Sequence, residues 1–171
     1  MVFALLTITI ISTVTISHIG TTVSNSLKKL PIYSVATNEK KIAITFDAAW
    51  SAEDTDELIE ILKNHNAKAT VFAVGDWVEK NPEAVKKFYK NGHEMANHSD
   101  THAAFSKISR EEIKQEIVDC NKKIEKITGV APKLVRAPSG DYDNKSIEVA
   151  DSLGMKMIQW DCEALETMVK L

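Results

Sequence analysis

The chain has 171 residues, 44% of them hydrophobic, enough to bury one sizeable core, so one domain with an N-terminal extension is expected. A formal net charge of -3 without any run of like charges excludes the strongly basic footprint of a nucleic-acid binder, and no nucleic-acid partner is expected. The two cysteines, Cys120 and Cys162, permit one disulfide, but nothing in the sequence brings them together.

Val2 to Ile19 carry no formally charged side chain and are rich in Leu, Ile, Val and Thr. That length suits a signal-peptide core or a membrane anchor, although no Lys or Arg precedes it. Residues 1–20 are therefore expected to export the chain or tether it on the extracytoplasmic side of a cell envelope. Alternation of Thr and Ile also fits a β-rich or disordered arm. Residues 21–40 read as a linker, and residues 41–171 as the globular domain.

From Lys41 onward, short apolar runs alternate with amphipathic helices. Lys41 to Phe46 and Ala69 to Val74 are predicted strands. Between them Leu58, Ile59, Ile61 and Leu62 have helical spacing, behind a start at Ser51 or Asp54. Asn81-Pro82 opens a helix with proline at its first position, Val85, Phe88 and Tyr89 form its buried side, and Gly92 ends it. A short strand is predicted at Glu94 to Asn97. Ser109-Arg110-Glu111-Glu112 is a capping box before the clearest helix of the chain, whose apolar face is Ile113, Ile117, Cys120, Ile124 and Ile127 and which stops at Gly129. Lys133 to Val135 is a strand, Asn144 to Leu153 a helix closed by Gly154, and Met155 to Trp160 a further strand. Strands alternating with helices predict an α/β fold with a mostly parallel sheet, open or closed into a barrel.

In such folds, loops at the carboxyl ends of the strands gather the functional residues. Asp47, His98 and Arg136 each follow a predicted strand and so fall on one rim. His98 and His102, four residues apart, lie on one face if the segment makes a helical turn, and two neutral imidazoles there suit a zinc-like ion. A chance pair in a polar loop is the plainer alternative. Asp47 is placed to accept a proton from water, or simply to cap a helix. Arg136 is placed to grip a carboxylate bidentately and hold it ionised, unless it is an ordinary surface arginine. Pro138, Ser139 and Gly140 make a tight turn whose N–H groups can face a ligand.

Thr45-Phe46-Asp47, His98-Ser99-Asp100-Thr101-His102 and Arg136-Ala137-Pro138-Ser139-Gly140 resemble the first three motifs of the polysaccharide deacetylases, the NodB-homology enzymes of carbohydrate esterase family 4. Gly92-His93-Glu94 and Gln159-Trp160-Asp161 add to the likeness, which runs from about Lys41 to Glu166 and is strongest for the sporulation-associated, peptidoglycan-directed branch. The resemblance implies a distorted (β/α)-barrel and a metal-dependent hydrolase that removes acetyl groups from N-acetylated sugars of peptidoglycan or a chitin-like polymer. It implies His98 and His102 as metal ligands, most simply for Zn²⁺, and Asp47 as general base oriented by Arg136. The backbone near Ser139 would hold the oxyanion and Trp160 would line the substrate pocket.

The chain departs from that pattern at three places. The family's first motif has two successive aspartates, the second a metal ligand, whereas Asp47 is followed here by Ala48. Glu163-Ala164-Leu165-Glu166 only approximates the fourth motif, with Thr167 where tryptophan is expected. The late Leu-x-His that supplies a general acid has no counterpart before Leu171. These departures predict a barrel lacking its last strands, a fragment of a longer deacetylase. They keep a second function in view, that of a non-catalytic glycan-binding protein or a degenerate remnant of a deacetylase.

Overall fold

The computed structural model describes residues 27–163. The apolar segment 1–20 and the motif positions Glu166 and Thr167 lie outside them. Five strands form one parallel sheet in sequential order: β1 (Ile44–Ala48), β2 (Ala69–Ala73), β3 (Glu94–Asn97), β4 (Leu134–Val135) and β5 (Lys156–Met157). Ile32 extends the far edge by a parallel bridge to Ile158, donating to Met157 O and accepting from Gln159 N. A sequential parallel order is that of a (β/α)-barrel wall, whereas a doubly wound sheet reverses direction at a switch point. Among the described residues β1 is paired on one side only, so this wall is an open arc.

Strand alternation decides which side chains face the helices. Val71, Ala73, Met95, Val135 and Met157 are buried in the two apolar cores, both built against helices. Their neighbours Thr45, Asp47, Phe72 and Arg136 fall on the opposite, concave face, as period 2 requires. The first core joins β2 and β3 to α1 (Thr55–Asn64), α2 (Gly75–Lys80), α3 (Pro82–Lys90) and the C-terminal half of α4 (Arg110–Thr128). The second joins β4, β5 and α5 (Asn144–Ser152) to the N-terminal half of α4. Helix α4 thus spans both cores, with Ile113 and Ile117 in one and Cys120 and Ile124 in the other. Burial pushes the Cys120 thiol up to about 12, so it is an inert core residue.

The helix signals take the predicted form at α4. Ser109 Oγ accepts from Glu112 N, the Glu112 carboxylate accepts from Ser109 N, and Gly129 closes the helix in the left-handed conformation at φ 75°. Asp54 precedes α1 and Asn81 precedes α3, but neither makes a side-chain cap bond. Helix α2 is absent from the sequence reading: six residues give too little periodicity, and burial of Trp77 and Val78 in the first core holds it. Both cysteines are free thiols, Cys162 exposed. Among the described residues no helix is long and apolar enough to cross a membrane.

Candidate functional site

The last residues of β1 and the loops after β3 and β4 meet on the concave face. Asp47 is inside β1 rather than after it, and its side chain is about one-third exposed. Arg136 follows β4 and is 3% exposed. Its Nη1 donates to Asp47 Oδ1 at 2.6 Å and its Nη2 to Thr45 Oγ1 at 2.9 Å. The expected bidentate grip is therefore split between a carboxylate and a hydroxyl, because Thr45 and Asp47 stand two residues apart on the same strand face. The guanidinium lies over the Phe72 ring at 4.0 Å and faces Trp160 at 5.5 Å, so aromatic faces replace part of the water its charge has lost. Its Nε has no hydrogen-bond partner among the described residues.

His98, next after β3, is 2% exposed. Burial is the main reason its pKa is lowered; the Asp47 charge and the Arg136 carbonyl act in the opposite direction and do not overcome it. The ring is therefore neutral at neutral pH. Its Nδ1 lies 3.0 Å from Arg136 O, an acceptor only, so Nδ1 carries the proton and Nε2 is left with a free lone pair. That Nε2 is 3.8 Å from Asp47 Oδ2, a near approach and too long for a hydrogen bond. The His102 ring lies 5.2 Å from the His98 ring at 70°, and the Trp50 ring stands 5.9 Å from the His102 ring at 54°.

Residues 98–102 do not make the helical turn the spacing suggested. Ser99 and His102 both have positive φ, 68° and 65°, which no helix allows. The imidazoles approach because the loop is tied down elsewhere. The decisive residue is Glu116 on α4, whose Oε2 accepts from Ser99 Oγ (2.5 Å), Asp100 N (2.9 Å) and Thr101 N (2.8 Å), while Oε1 accepts from Thr101 Oγ1 (2.9 Å). Burial alone would raise the Glu116 pKa, but these hydrogen bonds prevail and hold it below the ordinary value. Asn97 accepts from Ser99 N and donates to Ile117 O. Asp100 pairs with Lys123 at 2.9 Å and lies against Gly75, where a Cβ would come within 1.9 Å of Asp100 Oδ1. Neither Glu116 nor Gly75 is visible as a site residue in the sequence. Glu116 reads as a polar position on an amphipathic helix, and Gly75 as a turn.

The turn after β4 runs through Pro138–Gly140, with Ser139 left-handed at φ 54°. Gly140 N and Asp141 N are spent on Ala137 O and Pro138 O. Gly140 packs close to the next segment: a Cβ there would lie 2.9 Å from Gln159 Nε2 and 3.1 Å from Trp160 Cη2. The turn that contains Ser139 thus packs on Trp160, the ring that faces Arg136.

The donor set can be judged against the metal that the motif resemblance implies. His98 offers Nε2, and His102 stands beside it. Asp47 has one carboxylate oxygen engaged by Arg136. Ala48, at the position of the family's second aspartate, has only a methyl group, which packs against the first core. Among the described residues no group of three or more His, Cys, Asp or Glu side chains is placed to hold a metal. The residues present do not fit a three-ligand zinc seat.

The fold class and these three motifs define a member of one family. The polysaccharide deacetylase model matches residues 34–158, and the chain belongs to that family. It is 33% identical over 141 residues to the uncharacterized protein YlxY of Bacillus subtilis, covering 82% of this chain and 44% of that protein. It is 35% identical over 135 residues to the peptidoglycan-N-acetylglucosamine deacetylase PgdA of Listeria monocytogenes, covering 79% of this chain and 28% of PgdA. Among solved structures, wild-type BA3943 of Bacillus anthracis, a CE4 family pseudoenzyme, superposes with a TM-score of 0.74 at 34% identity, over 77% of this chain and 47% of that one. A mutant of BA3943 is described as having restored enzymatic activity. The chain thus spans less than half the length of each of these relatives.

Proposed function

We propose that this chain is a glycan-binding relative of the polysaccharide deacetylases that has lost efficient amide hydrolysis, working on N-acetylated cell-wall polysaccharide at the extracytoplasmic face. The donor set carries this reading. Two imidazoles remain, but Ala48 offers no third donor, and two protein ligands hold zinc less securely than three. The likeness to a CE4 family pseudoenzyme supports it, as does the likeness to a peptidoglycan deacetylase for the choice of glycan. Residues 1–20 would act as the leader or membrane tether and 21–40 as the linker.

One observation favours a second reading, a working N-deacetylase with Zn²⁺ as cofactor. The Asp47–Arg136 pair is intact, with the free Nε2 of neutral His98 beside it. There His98 and His102 are metal ligands, Asp47 is the base, Arg136 orients it, and Ser139 and Trp160 border the acetamido group.

The test is to incubate the protein, with and without added Zn²⁺, with peptidoglycan and N-acetylglucosamine oligomers, measuring binding and acetate together. Binding without acetate release is expected. Acetate release that disappears in His98→Ala and His102→Ala would overturn the first reading in favour of the second.

A further inference from the structure

We propose that Trp50 forms a sugar subsite beside the imidazole pair, stacking on a pyranose ring of a β-linked N-acetylated glycan; this rests on the glycan-binding reading above. The Trp50 side chain is 86% exposed. Burying so large an apolar ring is favourable, so the exposed indole is a large unspent surface. The backbone on either side of it is held in place. On one side β1 ends at Ala48, whose carbonyl accepts from Val74 N at 3.0 Å. On the other, Ser51 O accepts from Nε1 of the buried Trp77 at 3.0 Å, and Ser51 Oγ accepts from Glu53 N at 3.1 Å. The loop backbone is therefore pinned on both sides while the indole projects from it, which lowers the ordering cost of binding.

Its position selects the ligand. Successive pairwise approaches link Trp50 to the site: its ring is 5.9 Å from that of His102, which is 5.2 Å from that of His98; His98 Nε2 is 3.8 Å from Asp47, and Arg136, bound to Asp47 at 2.6 Å, faces Trp160 at 5.5 Å. An indole stands at each end. In a β-linked glucosamine-type chain the ring substituents are equatorial, so each pyranose face presents C–H groups. Those weakly positive hydrogens match the negative face of an indole. The two ends differ in chemistry. Near Trp160, Arg136 Nε and Gln159 Oε1 are buried polar atoms without partners among the described residues. Around Trp50 recognition is by ring stacking.

The experiment titrates the full chain with a β-1,4-linked N-acetylglucosamine tetramer, followed by calorimetry and tryptophan fluorescence. Trp50→Ala is expected to weaken binding about tenfold or more, and Trp50→Phe to stay within about threefold of wild type. Far-UV circular dichroism should be unchanged, because the side chain is outside the cores. Wild-type binding that Trp50→Ala leaves intact overturns the subsite alone. Failure of the wild type to bind any tetramer overturns the subsite and the glycan reading together. Self-association that Trp50→Ala abolishes, with glycan affinity unaltered, also overturns it by assigning the indole to a second copy of the chain.

Discussion

The loop at residues 98–102 and the end of β1 carry the two halves of the same site, and they are held very differently. In the loop Glu116 takes hydrogen bonds from Ser99, Asp100 and Thr101, Asp100 is pressed against Gly75, and Lys123 closes the outside. Strand β1 has one neighbouring strand among the described residues, and Asp47 is fixed there chiefly by Arg136. The imidazole loop is over-determined by its packing, so substitution would unsettle the fold. Position 48 ends that strand with its methyl against the first core and its carbonyl accepting from Val74 N. The loop is thus held by a carboxylate from a helix, and the strand end by one neighbouring strand and one buried arginine.

The largest effect is expected at the junction of the two halves. Asp47→Ala removes the charge partner of a buried arginine and should cost about 3 kcal/mol in urea unfolding. A loss below about 1 kcal/mol would mean that the aromatic faces of Phe72 and Trp160 suffice for Arg136. Gly75→Ala should come next, at about 2 kcal/mol, through overpacking on Asp100, since the backbone there needs no glycine conformation. Its signature is a shift of the His98 and His102 imidazole resonances, which an effect confined to α2 would not produce.

Glu116→Gln should cost about 1–2 kcal/mol, because the amide turns N–H groups toward donors that need an acceptor. The pH dependence has a definite sign. The folded pKa of Glu116 is depressed, so its contribution is present above the unfolded value near 4.5 and is lost as pH falls through the lower folded value. Unfolding curves below pH 5 should therefore be shallower in pH for Glu116→Gln than for wild type. An unchanged acid limb would remove Glu116 from the account of the loop.

Ala48→Asp tests the weaker half directly. A carboxylate added at the end of β1, next in sequence to Asp47, should raise zinc affinity about tenfold or more, worth about 1.4 kcal/mol, read by calorimetry rather than turnover. No gain would show that the loop and the strand end no longer converge on one ion. The smallest effect is on stability in Trp50→Ala, within about 0.5 kcal/mol in the same urea assay. A larger loss would make Trp50 part of the scaffold.

Much of the architecture was legible because it is local. The capping box at Ser109 and Glu112, Gly129 in its left-handed cap, and the apolar stripe of α4 are each set by residues a few positions apart. The candidate site was legible as residue types in order, with Asp47 near the end of β1 and His98 and Arg136 directly after β3 and β4. Their exact partners were not. The positive φ at Ser99 and His102 contradicts the helical turn that their spacing implies, and contacts from distant residues, Glu116 and Lys123 among them, hold the loop in that form. Part of the segment read as a linker carries a bridge, Ile32 to Ile158, that depends on a strand more than a hundred residues away.

By itself the sequence determined the alternation of strands and helices, the rim on which the polar residues gather, and the absence of a carboxylate at position 48. These follow from short-range periodicity and from residue identity. Tertiary structure alone decided that Arg136 divides its hydrogen bonds between Asp47 and Thr45, that His98 is neutral with Nε2 free, and that Glu116 holds the imidazole loop. Each of those depends on burial and on atoms distant in the chain, because the strength of a charge or hydrogen bond is set by the surroundings that folding builds around it.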